Sequence, residues 1–322
     1  MRRMKILIGY DGSDCAEAAL DDLSRAGLPP YAHAMIVSVT ELWLPPPPPS
    51  SYQVIEEAQQ VNVPADLKSV YEVDSVMVEE ALELASKAGE RLKAKFPGWA
   101  VKREAFYGSP AQELILKAEK WGADLIVVGS HGRSALGRLL LGSVSQKVLT
   151  EAHASVRVAR GRIEVEPSPV RILLGVDGST EAELAVREVA SRVWPPGSQA
   201  RVVIVGDPLT PTIVGRLIPP VRRVVEESNR EETEWAEAVL EKATQVLKGA
   251  ELEVTSAIIE GNPKHVLVEE AERWGADVIF LGSTGMGRVG RFLLGSVSAA
   301  VAARAACSVE VIRAQRDDPQ KP

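Results

Sequence analysis

Only two cysteines occur in the 322 residues, Cys15 and Cys307. Thiols this few, one in each half at non-equivalent places, exclude a disulfide framework and a thiolate metal site. Buried or inert thiols are the expectation. Histidine is scarce as well: His33, His131, His153 and His265 are the four, and none recurs at an equivalent position between the halves. Catalysis by positioned acids, bases or nucleophiles therefore has no visible triad, and no metal cluster is expected. Long apolar runs are missing. Leu125–Val128 is of strand length, far below the roughly 18–20 residues of a membrane span, and the N-terminus has no apolar signal stretch. A cytoplasmic protein without membrane contact is expected. The net charge of −7 leaves no basic excess, so nucleic acid is not the expected partner.

What is present is the composition of a globular protein, 45% hydrophobic and 25% charged. A chain of this length exceeds the usual single hydrophobic core, and two domains follow. Self-similarity supports the division. Gly9-Tyr10-Asp11-Gly12-Ser13 recurs as Gly175-Val176-Asp177-Gly178-Ser179, 166 positions on. Gly108-Ser109-Pro110 returns as Gly261-Asn262-Pro263, Trp121-Gly122-Ala123-Asp124 as Trp274-Gly275-Ala276-Asp277, and Leu140–Ser145 as Leu293–Ser298, all 153 apart. A constant offset over the later part of each repeat means a shared framework. The shorter offset places the extra residues of repeat one between its first and third strands, where Pro45–Pro49 lies. A five-proline run favours extended geometry, so residues 41–66 read as a long surface loop.

Each repeat alternates strands and helices. Met4–Gly9 and Ala32–Thr40 are strands around a helical stretch, Asp14–Ala26; Val73–Phe96 is a long helix; Val101–Tyr107 is a third strand. The next helix, with Ala111, Leu114, Ile115 and Ala118 on one face, is opened by Pro110 and closed by Gly122. Asp124–Gly129 is almost wholly apolar, as a strand covered on both faces should be. A helix from about Leu141 and a last strand, Ser155–Arg160, complete the unit. This order predicts an α/β fold of two tandem, doubly wound, mainly parallel five-stranded sheets, Rossmann-like in architecture. The domains are expected at 1–162 and 170–315, with a linker at 163–169 and a disordered tail at 316–322.

Ligands of open α/β sheets bind beyond the carboxyl ends of the strands, and the unusual glycines gather there. Gly129-Ser130-His131-Gly132, nine residues, then Gly142-Ser143 is repeated with the same spacing as Gly282-Ser283-Thr284-Gly285, nine residues, then Gly295-Ser296. Glycines allow close backbone approach and positive φ, and a helix beginning at Gly142-Ser143 offers N–H groups and a hydroxyl to an anion. Phosphate is the natural guest, with Ser145 and Ser298 adding second hydroxyls. Tight turns and helix capping are the plainer reading of the same glycines. Asp11 and Asp177 stand at the ligand edge of the sheet, either as acceptors for a base or ribose donor or as helix N-caps. Arg138 and Arg291 are weaker phosphate candidates.

On these motifs the chain resembles the universal stress protein family, in its ATP-binding branch, whose pattern is Gly, two residues, Gly, nine residues, Gly, then Ser or Thr. Both repeats match it, and the likeness covers nearly the whole chain. The resemblance implies ATP as cofactor, with Mg²⁺ or Mn²⁺. It places Asp11 and Val39 beside the adenine, Val128 and Gly129 near ribose and adenine, and Gly132, Gly142, Ser143, Val144 and Ser145 around ribose and phosphates. In repeat two the matching positions are Asp177, Val205, Leu281, Gly282, Gly285, Gly295, Ser296, Val297 and Ser298. Two departures imply unequal sites: Asp207-Pro208 ends strand two of repeat two early, and Met286-Gly287 replaces Arg133-Ser134.

The expected function is a stress-response regulatory module that binds adenine nucleotide and acts on an unknown protein partner, without dedicated catalytic residues. The alternative is a slow ATPase or a nucleotidyl-transfer enzyme of the same architecture. Against it, the loop Asp11-Gly12-Ser13 is neither a His-Ile-Gly-His nor a Ser-Gly-Gly loop, and the first strand lacks the dinucleotide fingerprint. The strands Ser155–Arg160 and Ser308–Arg313 are expected to pair within the chain, covering two edges and forming a pseudo-twofold pair. A homodimer of such chains stays open.

Overall fold

The computed structural model describes residues 2–41, 65–131, 141–160, 169–206, 219–285 and 294–314; for 65–76, 219, 221 and 222 it describes the backbone alone. The proline run, the linker except Pro169, the tail, Gly132, Arg138, Arg291, Asp207-Pro208 and the pairs Met286-Gly287 and Arg133-Ser134 lie outside the described residues.

The first repeat runs β1 (Met4–Gly9), α1 (Asp14–Asp22), β2 (Ala32–Thr40), α2 (Ala65–Lys95), β3 (Ala100–Tyr107), α3 (Pro110–Trp121), β4 (Leu125–Gly129), α4 (Ser143–Glu151) and β5 (Ser155–Ala159). The second runs β6 (Arg171–Gly175), α5 (Thr180–Ser191), β7 (Gln199–Gly206), α6 (Pro219–Lys248), β8 (Glu253–Glu260), α7 (Pro263–Trp274), β9 (Val278–Gly282), α8 (Ser296–Arg304) and β10 (Ser308–Ile312). Two expectations change. The helical stretch after β1 ends at Asp22 and tightens into a 3₁₀ turn over Leu23–Arg25. Helix α2 begins at Ala65, eight residues before the expected Val73, because no proline interrupts the chain from Ala65 to Lys95; the expected loop therefore loses residues 65 and 66. The closure of α3 is local chemistry: Gly122, like Gly275 after α7, adopts a left-handed conformation (φ 68° and 70°) and donates to carbonyls of the last turn.

The two five-stranded sheets join edge to edge into one sheet of ten, in the order β3-β2-β1-β4-β5-β10-β9-β6-β7-β8. Pairing is parallel within each repeat, and β5 meets β10 antiparallel with Val156 opposite Val311 and Val158 opposite Val309. The expected pairing of last strands is thus present. One face of the sheet carries α3, α4, α7 and α8 over a core common to both repeats, in which Val148, Leu149 and Val158 pack with Val301, Ala302 and Val309. On the other face the cores are separate, with α1 and α2 over repeat one and α5 and α6 over repeat two. Among the described residues no helix is long and apolar enough to cross a membrane.

At the joint, Arg157 stands directly opposite Glu310 in the strand register. The two occupy equivalent places in their repeats, so one position of the repeat carries opposite charges that meet at the joint. Arg157 donates to Asp22 at 2.6 Å and to Glu310 at 3.0 Å, and Glu310 also receives Arg192, which is held by Glu188 at 3.0 Å. Burial pulls the Arg157 guanidinium down, but Asp22 and Glu310 outweigh it and hold the group above its ordinary value. Pairing two copies of repeat one by the same edge would set arginine against arginine. Charge therefore favours the unlike pairing, an arrangement the covalent link makes intramolecular.

Candidate functional site

Strand order reverses between β1 and β4 in repeat one and between β6 and β9 in repeat two. At such a point neighbouring connections leave in opposite directions and open a crevice. In repeat two the crevice is a cleft of about 290 Å³. All nine residues named from the sequence line it: Asp177, Val205, Leu281, Gly282, Gly285, Gly295, Ser296, Val297 and Ser298. Sequence reading did not name the other wall residues as site residues: Gly175, Val176, Ser179 and Ala182 around the first turn and helix, and Val203, Pro263, Leu267 and Thr284. The recurring Gly-Asn-Pro motif was a signal for Pro263, since it opens α7 at the cleft. In repeat one Asp11 follows β1, Val39 lies in β2, Val128 and Gly129 end β4, and Gly142–Ser145 open α4, at the equivalent places.

The glycines serve contact, not unusual dihedrals. Gly142 (φ −63°, ψ 152°) and Gly295 (φ −65°, ψ 147°) have ordinary extended geometry, and none of Gly129, Gly282 and Gly285 has positive φ. The expectation of positive φ fails at these positions. A Cβ on Gly129 would come within 2.8 Å of the Cys15 carbonyl oxygen, and one on Gly282 within 2.7 Å of the Glu181 backbone. A Cβ on Gly285 would collide with Asp177 Oδ2. The strand end, the start of the first helix and the aspartate are packed too closely for any side chain.

The aspartates turn out to be turn formers and not N-caps. Asp11 Oδ1 accepts from the Ser13 amide at 3.0 Å and its hydroxyl at 2.6 Å, and Asp177 Oδ1 does the same with Ser179 at the same distances. The caps themselves are Ser13 and Ser179, which accept from Ala16 and Ala182. This Asx turn needs Gly12 and Gly178 at φ 75° and 77°. It leaves Asp177 Oδ2 against Gly285, inside the cleft.

Helices α4 and α8 begin with no side-chain cap, unlike α1 and α5. Their N-cap glycine amides instead reach back to the strand-end loop, Gly142 to the Ser130 carbonyl at 2.8 Å and Gly295 to the Ser283 carbonyl at 2.6 Å. Among the described residues no side chain caps these first turns, which stand at the positive end of the helix dipole. Ser143 and Ser296 are exposed at the first helical position. Ser145 and Ser298 are buried, and each donates its hydroxyl to a strand-end carbonyl, Gly129 at 2.6 Å and Gly282 at 2.7 Å. The proton that the sequence reading offered to an anion is committed to joining helix start to strand end.

The two sites are not identical; Val128 stands where Leu281 lines the second cleft, and one polar position differs as well. His131 stands where Thr284 lines the second cleft; its Nδ1 is 3.1 Å from Ser130 Oγ, and burial, with Arg160 nearby, lowers its pKa. Among the described residues no group of three or more His, Cys, Asp or Glu side chains is placed to hold a metal ion.

Fold and site define a class: a duplicated, doubly wound α/β protein with an uncapped, glycine-started helix facing the crevice of each sheet. Comparison with known proteins gives the family. The model of the universal stress protein family matches residues 2–160 and again 170–313. A universal stress protein of Mycolicibacterium smegmatis is 32% identical over 260 residues, covering 77% of this chain and 80% of its own length. One from Mycobacterium tuberculosis is 27% identical over 328 residues, covering 96% of each chain. The crystal structure of a universal stress protein from Archaeoglobus fulgidus superposes with a TM-score of 0.60 at 22% identity, over 98% of this chain and 97% of that one. The chain belongs to the universal stress protein family and carries two of its domains in tandem.

Proposed function

We propose that this chain is a cytoplasmic, ATP-binding regulatory module of the stress response, with one nucleotide site in each repeat and no dedicated catalytic residues. The observation that carries the reading is the pair of uncapped helices, Ser143–Glu151 and Ser296–Arg304, whose first-turn amides and exposed serines face a switch-point crevice. A triphosphate supplies the anion such a helix start accepts. Asp11 and Asp177 are set to receive donors of ribose or adenine, and Val39 and Val205 to face the base. The second cleft, of about 290 Å³, suits a nucleotide that remains partly in solvent. A divalent cation in this reading is carried by the triphosphate, since the described side chains form no cluster for it. Occupancy would order the crevice and change what a protein partner meets.

The test is calorimetric titration of the nucleotide-stripped chain with ATP and Mg²⁺, with mass analysis of any nucleotide that co-purifies. Binding of one or two ATP without rapid turnover is expected. Replacing Gly142 and Gly295 by Trp should abolish it; the dihedrals of both are open to any residue, while a Cβ on Gly295 would press on the Ser283 carbonyl at 3.1 Å, so the fold of the variant is checked by circular dichroism and thermal melting. Unchanged affinity in the double variant, or no binding by the unsubstituted chain, refutes the reading.

A further inference from the structure

The residues that follow the two last strands make a reciprocal pair of contacts across the joint. Arg160, just beyond β5, donates through Nη2 to the Ala302 carbonyl at 2.6 Å, in the last turn of α8. Arg313, just beyond β10, donates through Nη2 to the Leu149 carbonyl at 2.7 Å, in the last turn of α4. Both arginines are pinned through their own amides, Arg160 to Ser308 Oγ at 2.9 Å and Arg313 to Ser155 Oγ at 3.1 Å. Each accepting carbonyl belongs to the last four of its helix, which have no partner within the helix, and each guanidinium stands at the negative end of the dipole.

The helices held in this way are the two that open at the nucleotide crevices. Arg160 belongs to repeat one, next to β4 and its strand-end loop, yet it fastens the helix of site two. Arg313 follows β10, whose Ile312 carbonyl receives the Ser283 amide at 2.9 Å beside site two, and it fastens the helix of site one. Helices α4 and α8 pack on each other and share the common core, which supports these two nine-residue helices along their length. Among the described residues, one buried nitrogen of each guanidinium has no acceptor, Nη1 of Arg160 and Nε of Arg313. Such donors favour any rearrangement that gives them a partner, so neither contact sits in a fully satisfied arrangement.

We propose that Arg160 and Arg313 are positioning residues, each setting the nucleotide-binding helix of the opposite repeat, and that they couple the two sites. The proposal rests on the nucleotide reading above only for what the helices bind. Coupling of this kind is reciprocal, and its usual range is about 5- to 150-fold in affinity.

Two measurements on the full chain test it. Arg160→Met should speed hydrogen exchange of the hydrogen-bonded amides of α8, from Ala299 onward, by about fivefold or more and leave α4 unchanged, and Arg313→Met should do the reverse for the amides of α4 from Gln146 onward. Lysine at either place keeps a single N–H on the same carbonyl and should restore protection. In the unsubstituted chain, ATP and Mg²⁺ at one site should change the affinity of the other by about fivefold or more, read against chains left with one site by Gly142→Trp or Gly295→Trp, and Arg160→Met or Arg313→Met should remove that difference. Exchange that rises in both helices alike, only within the substituted repeat, or not at all overturns the positioning role. Crossed exchange with unchanged affinities overturns the coupling. Crossed exchange in a chain that takes up no ATP before substitution overturns the nucleotide reading and leaves the positioning role standing.

Discussion

Glu310→Gln tests whether the joint between the repeats is held by charge. Glu310 has no exposed surface, and its oxygens take Arg157 Nη1 at 3.0 Å, Arg192 Nη1 at 3.0 Å and Arg192 Nη2. Glutamine keeps the shape but turns one acceptor into a donor facing guanidinium N–H groups, and removes the negative charge between two buried cations. Arg157 retains Asp22 and Arg192 retains Glu188, which is one-third exposed. Breaking a buried ion pair by removing one partner costs about 3–5 kcal/mol, and the retained partners put this case at the lower end, about 3–4 kcal/mol. At roughly 2–4 °C per kcal/mol for domains of this size, the melting temperature should fall by about 6–16 °C. Glu188→Gln is the control: a partly exposed pair is worth about 0–1 kcal/mol. Urea titration of the three proteins should show the midpoint falling with an unchanged slope. A Glu310→Gln loss below about 1 kcal/mol, or one equal to that of Glu188→Gln, would refute the argument.

Two further outcomes follow from titrating groups. Burial pushes the Cys307 thiol up to about 12, so its thiolate is rare at pH 8; alkylation should be about a thousandfold slower in the native chain than in urea, read by mass spectrometry, and equal rates would refute its burial. Burial and Arg160 lower the pKa of His131 from 6.5, so the unfolded chain binds the proton more readily. Stability should therefore fall as pH drops through about 6.5 towards the folded value, and His131→Gln should remove that component. Parallel wild-type and variant curves of melting temperature between pH 8 and pH 5 would contradict it.

Much of the fold was written locally in the chain. The bounds of β1 and β2, the opening of α3 at Pro110 and its closure at Gly122 needed only apolar runs and the dihedral habits of proline and glycine, which act within a few residues. The repeated glycine spacing likewise determined which residues would meet at the crevice, because the strand-turn-helix unit holds them within one short stretch. Tertiary structure decided what lies between distant segments. Ser145 bonds to a carbonyl 16 residues away, so its buried place could not be told from the exposed place of Ser143 by residue type. The motif glycines proved to be sites of close packing, since their neighbours Cys15, Glu181 and Asp177 arrive from another loop and helix. Pairing of the last strands was legible as two edges needing cover. That Arg157 would face Glu310, and that Arg160 and Arg313 would each reach into the opposite repeat, depended on antiparallel register across a joint between residues 142 to 164 apart, a separation at which only the folded sheet brings side chains together.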